Sequence, residues 1–158
     1  MKEIFVYSRN VVEALPAHDE PHIIISINSP GQEPARIRTN NATLGRVNLF
    51  FWDLDQRPAA GHVEYEGKQY DFNDIPEEEL CQPADAVKVI DLVLAHPEAK
   101  QIVVHCRAGV SRSAAVAAAL HKVLNGSDEP IFGSRRYRPN MRVYRMLLNE
   151  WYDRHFQV

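Results

Sequence analysis

The chain has 158 residues, enough for one domain with a full core, and its hydrophobic fraction of 45% and charged fraction of 25% are those of an ordinary globular protein. A net charge of −3 supplies no basic field to recruit nucleic acid or an anionic membrane, and no apolar run approaches the ~20 residues that span a bilayer. The first residues lack the apolar region and cleavage site of a signal peptide, and two cysteines make no disulfide framework, so a single cytoplasmic, monomeric domain over 1–158 is expected.

In chain order, the pattern alternates between strands and helices. Residues 4–7 read as a short strand and 9–15 as a helical turn or two. The near-continuous apolar run over 22–27 fits a strand buried on both faces, broken by Asn28-Ser29-Pro30-Gly31. A further strand is expected over 47–52, then a loop over 56–69 with room for a small hairpin around Val63-Glu64-Tyr65. Pro76 followed by Glu77, Glu78 and Glu79 predicts a helix start, and apolar spacing through Ala86, Val89, Ile90 and Val93 carries that helix to His96-Pro97. Residues 102–105 form a strand, 113–124 a helix stopped at Asn125-Gly126, and 140–155 a last helix, with Asn140 as its cap. Such alternation implies an α/β fold: a central, mostly parallel sheet flanked by helices, with the ligand at the C-terminal ends of the strands.

Between that strand and helix lies His105-Cys106-Arg107-Ala108-Gly109-Val110-Ser111-Arg112-Ser113. Five residues between cysteine and arginine let the backbone curl so that successive N–H groups point inward, an anion-binding nest of Arg107, Ala108, Gly109, Val110 and Ser111. The start of the following helix adds unpaired N–H groups and the positive end of its dipole. Cys106 in that field is placed to act as a thiolate nucleophile. Arg112 offers a planar fork for two phosphoryl oxygens, which a lysine cannot provide. Gly109 removes a side chain where the loop turns tightly, and Ser113 can hydrogen-bond the sulfur and ease its departure.

His105-Cys106-x5-Arg112-Ser113 resembles the active-site pattern of the cysteine-dependent protein tyrosine phosphatases, and Ala-Gly-Val-Ser-Arg-Ser is similar to the dual-specificity branch. The strong resemblance covers residues 102 to about 125, and a weaker one to the small bacterial or phage single-domain enzymes extends over most of the chain. It implies a phosphatase-like three-layer sandwich. It also implies hydrolysis of phosphotyrosine, or of phosphoserine and phosphothreonine too, through a phosphocysteine on Cys106, without cofactor or metal. The expected partners are a phosphorylated protein or a small phosphomonoester.

The resemblance further requires an aspartate to protonate the departing oxygen. Asp53 and Asp55 follow the strand over 47–52, while Asp74 lies nearer Cys106, at a separation similar to that in many dual-specificity enzymes. Strands deliver their C-terminal ends to the site, which favours Asp53 and leaves Asp55 and Asp74 as alternatives, with Asp74 also fit to cap a helix. Cys81 reads as an ordinary helix-start cysteine, with a resolving-thiol role as the alternative. Arg135, Arg136 and Arg138 form a basic cluster fit for an acidic or phosphorylated substrate, or for plain solvation. A rhodanese-like sulfurtransferase also places a cysteine between strand and helix, but His105 and Ser111-Arg112-Ser113 speak against it. A phosphate-binding pseudophosphatase is the non-enzyme alternative, although it would usually lack the cysteine or the arginine. Phosphoinositide enzymes tend to carry lysines in the loop, and here only Arg107 is basic.

Overall fold

The structure is a computed structural model that describes residues 1–55, 62–65, 67–71 and 75–156. Its centre is a four-stranded, all-parallel sheet in the order β1 (Glu3–Ser8), β6 (Gln101–Cys106), β2 (His22–Asn28), β3 (Thr43–Phe50). Because every strand runs the same way, Ser8, Cys106, Asn28 and Phe50 all arrive at the C-terminal end of the sheet. In register, Ser8 lies beside Cys106, and Ser26 beside His105. A separate antiparallel hairpin joins β4 (His62–Tyr65) to β5 (Lys68–Asp71), where the sequence leaves room for one.

The two-residue periodicity of the strands divides the core. Ile23, Ile25, Ile27, Ile102 and Val104 face a large apolar cluster under α2 (Pro83–Ala95), α3 (Arg112–Asn125) and α5 (Met141–His155). Ile24 and Val103 face the opposite layer, where α1 (Arg9–Ala14) contributes Val12 and the segment after β2 contributes Ile37. The sandwich is therefore thick on one side and thin on the other. Helix α3 is buried without a break from Arg112 to Leu120. Its run of alanines lets the backbone lie close to the sheet and to α5, so the helix behind the cysteine is the most enclosed helix among the described residues. No helix among the described residues is long and apolar enough to cross a membrane.

Three elements differ from the sequence expectation. Helix α2 starts at Pro83, not Pro76: Glu77–Glu79 is an isolated 3-10 turn, followed by extended chain. The start signal is Gln82-Pro83-Ala84-Asp85, in which Gln82 and Asp85 form a reciprocal capping box and proline occupies the first turn. Strand β3 begins at Thr43 and ends at Phe50, so Phe51 and Trp52 lie beyond it. Its first half is half-buried because β3 is an edge strand, which blurs the apolar pattern. A four-residue helix, α4 (Glu129–Phe132), has too little apolar periodicity to be read from sequence.

Candidate active site

The loop after β6 turns at Gly109. Gly109 takes φ +71, and a Cβ there would stand 2.8 Å from Ser8 N and from Tyr7 C. The close approach is thus to the backbone of β1. Ser8 in turn caps α1, and Arg9 N donates to Arg107 O at 3.1 Å, so the end of β1 props the loop from behind. With the loop so pinned, Gly109 N donates to Cys106 Sγ at 3.3 Å and Ser113 Oγ lies 3.0 Å from the same sulfur. Cys106 is almost fully buried, at the floor of the loop.

Arg112 opens α3 and is 4% exposed. Its Nη1 donates to Phe51 O at 2.8 Å and to Ser29 Oγ at 3.2 Å. The segments just after β2 and β3 therefore hold one corner of the guanidinium, and among the described residues Nε and Nη2 make no hydrogen bond. Ser29 belongs to the segment that sequence reading treats only as a strand break. The strand-end argument that singles out Asp53 applies equally to it.

Below the loop, His105 is fully buried. Its Nδ1 lies 3.2 Å from the Cys106 carbonyl, which can only accept, so Nδ1 carries the proton and Nε2 receives the Ser26 hydroxyl at 2.6 Å. Ser26 Oγ then accepts from Asn28 Nδ2 at 3.3 Å and from Arg46 Nη2 at 3.4 Å. Burial, reinforced by the charges of Arg9 and Arg46 and opposed by the bond to the Cys106 carbonyl, pushes the His105 pKa down to about 4. The ring is neutral near pH 7 and serves as a spacer between β2 and the cysteine backbone.

Asp53 reaches this loop. Phe51 and Trp52, just before it, are buried; Phe51 N donates to Asn28 O, and Trp52 N to Glu79 O. From that anchored stem the Asp53 side chain extends so that Oδ1 accepts from Ser111 Oγ at 2.7 Å and from Asn140 Nδ2 at 3.0 Å. Asp55 turns away and pairs with Arg145 at 3.1 Å. Asp74 lies outside the described residues. Asn140 caps α5 as expected, accepting from Arg142 N and Val143 N. Its contact with Asp53 joins residues far apart in the chain, which no local pattern announces.

Cys81 is buried in the main core just before α2, and lines one small cavity with Leu49, Phe51, Val116, Val143 and Leu147. Burial, with Asp85 nearby, pushes its thiol up to about 12, so it stays protonated and unreactive near neutral pH. Arg135, Arg136 and Arg138 are exposed, and Arg138 N donates to Val110 O at 2.9 Å, which sets this cluster against the loop after β6. Arg136 also lies over the Tyr137 ring.

No protein-family model and no curated protein sequence matches the chain. Solved structures do. A mouse protein assigned as a dual specificity phosphatase, solved with zinc tungstate, matches with a TM-score of 0.56 at 14% identity, over 96% of this chain and 85% of that one. Human DUSP28 matches with a TM-score of 0.52 at 16% identity, over 98% and 93% of the two chains. A human tyrosine phosphatase-like serine/threonine/tyrosine-interacting protein matches with a TM-score of 0.51 at 18% identity, also over 98% and 93%. At these identities the likeness is one of fold: the chain has the α/β fold of the dual-specificity phosphatases.

Proposed function

We propose that the protein is a cysteine-dependent phosphoric monoester hydrolase that works through a phosphocysteine on Cys106. The observation that carries this reading is a convergence on one loop. Cys106 Sγ has a loop N–H and the Ser113 hydroxyl on it, and a carboxylate from a separate segment, Asp53, is tied to the same loop. A sulfurtransferase has no need of that carboxylate.

In the first step Sγ attacks phosphorus in line; the S–P bond forms and the ester P–O bond breaks. Arg112 and the N–H groups of Arg107, Ala108, Gly109, Val110 and Ser111 hold the equatorial oxygens, whose charge they meet best in the transition state. Asp53 gives its proton to the departing oxygen. In the second step water attacks phosphorus, Asp53 takes the water's proton, and the S–P bond breaks. Ser113 donates to the sulfur as it leaves, and inorganic phosphate and the thiolate result.

Phosphotyrosine in a protein, or a small aryl phosphomonoester, is the first substrate of this reading; phosphoserine and phosphothreonine follow where the shorter side chain reaches the sulfur. The exposed guanidiniums of Arg135, Arg136 and Arg138 beside the loop favour substrates that carry further negative charge. A working thiolate needs a reducing compartment, which favours the cytoplasm.

The test is turnover of p-nitrophenyl phosphate and of an alkyl phosphate. Cys106→Ser abolishes both, because a serine hydroxyl is not ionised in that field. Asp53→Asn lowers kcat on the alkyl phosphate about 10²–10⁴-fold and far less on p-nitrophenyl phosphate, whose leaving anion needs no proton. Asp55→Asn behaves like the parent. Leaving-group dependence in Asp74→Asn instead would move the acid to that residue. Turnover of thiosulfate and cyanide, but not of phosphate esters, would favour the sulfurtransferase. Phosphate binding without turnover would favour a pseudophosphatase.

A further inference from the structure

We infer that Asn140 is a positioning residue that fixes the carboxyl of Asp53 for proton transfer; this rests on the reading of Asp53 as the acid. Asn140 is 7% exposed and does three things at once. Its Oδ1 accepts from Arg142 N at 3.0 Å and from Val143 N at 3.2 Å, capping α5. Its backbone N donates to Ser111 O at 3.2 Å, joining the helix to the phosphate loop. Its Nδ2 donates to Asp53 Oδ1 at 3.0 Å.

The cap decides which way the amide faces. A flipped side chain would lose both helix contacts and set its oxygen against a carboxylate, so the amide nitrogen must point to Asp53. The post behind it is firm, since Val143, Tyr144 and Leu147 of α5 are buried in the main core. Ser111 Oγ donates to the same Oδ1 at 2.7 Å. Both tethers therefore fall on one oxygen, and Oδ2 is left to carry the proton to the leaving group. The ring from Asn140 to Ser111 to Asp53 links the acid to the loop that holds the nucleophile.

This geometry explains why the cap is asparagine. Serine caps a helix about as well, but its short hydroxyl cannot also reach Asp53. Aspartate caps too, but sets a second carboxylate where Asp53 needs a donor. A displacement of ~1 Å in a reacting group costs on the order of 10²-fold in rate, so losing one of two tethers is expected to show in kcat.

Asn140→Ser and Asn140→Asp, which both preserve the cap, are compared with the parent on p-nitrophenyl phosphate and on an alkyl phosphate. Vanadate affinity and melting temperature are measured alongside. The expected result is a fall in kcat of about tenfold or more on the alkyl phosphate only. KM and vanadate affinity stay within roughly twofold of the parent. In the Asp53→Asn background Asn140→Ser costs nothing further on the alkyl phosphate, because the group that it positions is already gone. Equal losses on both substrates, weakened vanadate binding, or a full additional loss in the double variant would overturn the inference and make Asn140 a support of the loop alone. If Asp53→Asn itself shows no leaving-group dependence, the acid assignment fails, and the inference with it.

Discussion

In the proposed mechanism, Arg112 divides its fork between support and ligand. Nη1 is bound to Phe51 O and Ser29 Oγ, both brought by segments that follow strands, and in that mechanism the remaining N–H groups would hold the phosphoryl group. A lysine has one point of charge for both tasks. Arg112→Lys is therefore expected to lose about 10²–10³-fold in kcat, nearly as much as Arg112→Ala, and to weaken vanadate inhibition as well. A lysine variant with near-parental kcat would show that charge alone suffices there. The two cysteines make the complementary contrast. Cys106 has a loop N–H and a hydroxyl on its sulfur, whereas the Cys81 thiol is held high by burial and by Asp85. The sequence already separates the two by setting, because only Cys106 sits between a β-run and a glycine-bearing turn.

The loop as an element depends on Gly109 twice, through its positive φ and through its contact with β1. Gly126, at the end of α3, also takes a positive φ, but a Cβ there would meet nothing within 4 Å. The pair separates the two effects. Gly126→Ala is expected to cost only the ~1 kcal/mol of a left-handed alanine, while Gly109→Ala costs more and loses most turnover, since the Gly109 N–H no longer reaches Sγ. Urea denaturation and the aryl phosphate assay check both; equal stability losses would mean that the β1 contact yields. This loop, with β6 and α3, was legible in the sequence because its signals are local: an apolar run, a fixed spacing, an alanine-rich helix. The start of α2 was not, because three consecutive glutamates imitate a first helical turn, while the true box at Gln82 and Asp85 lies in a less conspicuous stretch. The approach of Asp53 to this loop was legible from its place just after a strand. Its tether to Asn140 was not, because it depends on how α5 packs across the loop.

Across the whole molecule, His105 joins the sheet to the site. It ties β6 to β2 through Ser26, and Arg46 extends the contact to β3. A second proton would turn Nε2 from acceptor to donor, break the bond from Ser26, and place a buried charge near Arg9 and Arg46. Because the folded protein holds this group near 4 and the unfolded chain near its ordinary 6.5, the unfolded state binds more protons between those values. Stability contributed by the neutral ring is complete above pH 6.5 and is lost as pH falls toward 4, by up to ~3 kcal/mol. Urea midpoints are therefore expected to fall over that window in the parent. His105→Gln has no proton to gain there, so its midpoint, lower at neutral pH, should fall less steeply as the solution is acidified. Parallel slopes for the two proteins would mean that carboxylates elsewhere govern acid unfolding and that the sheet tolerates a charged ring beneath the cysteine.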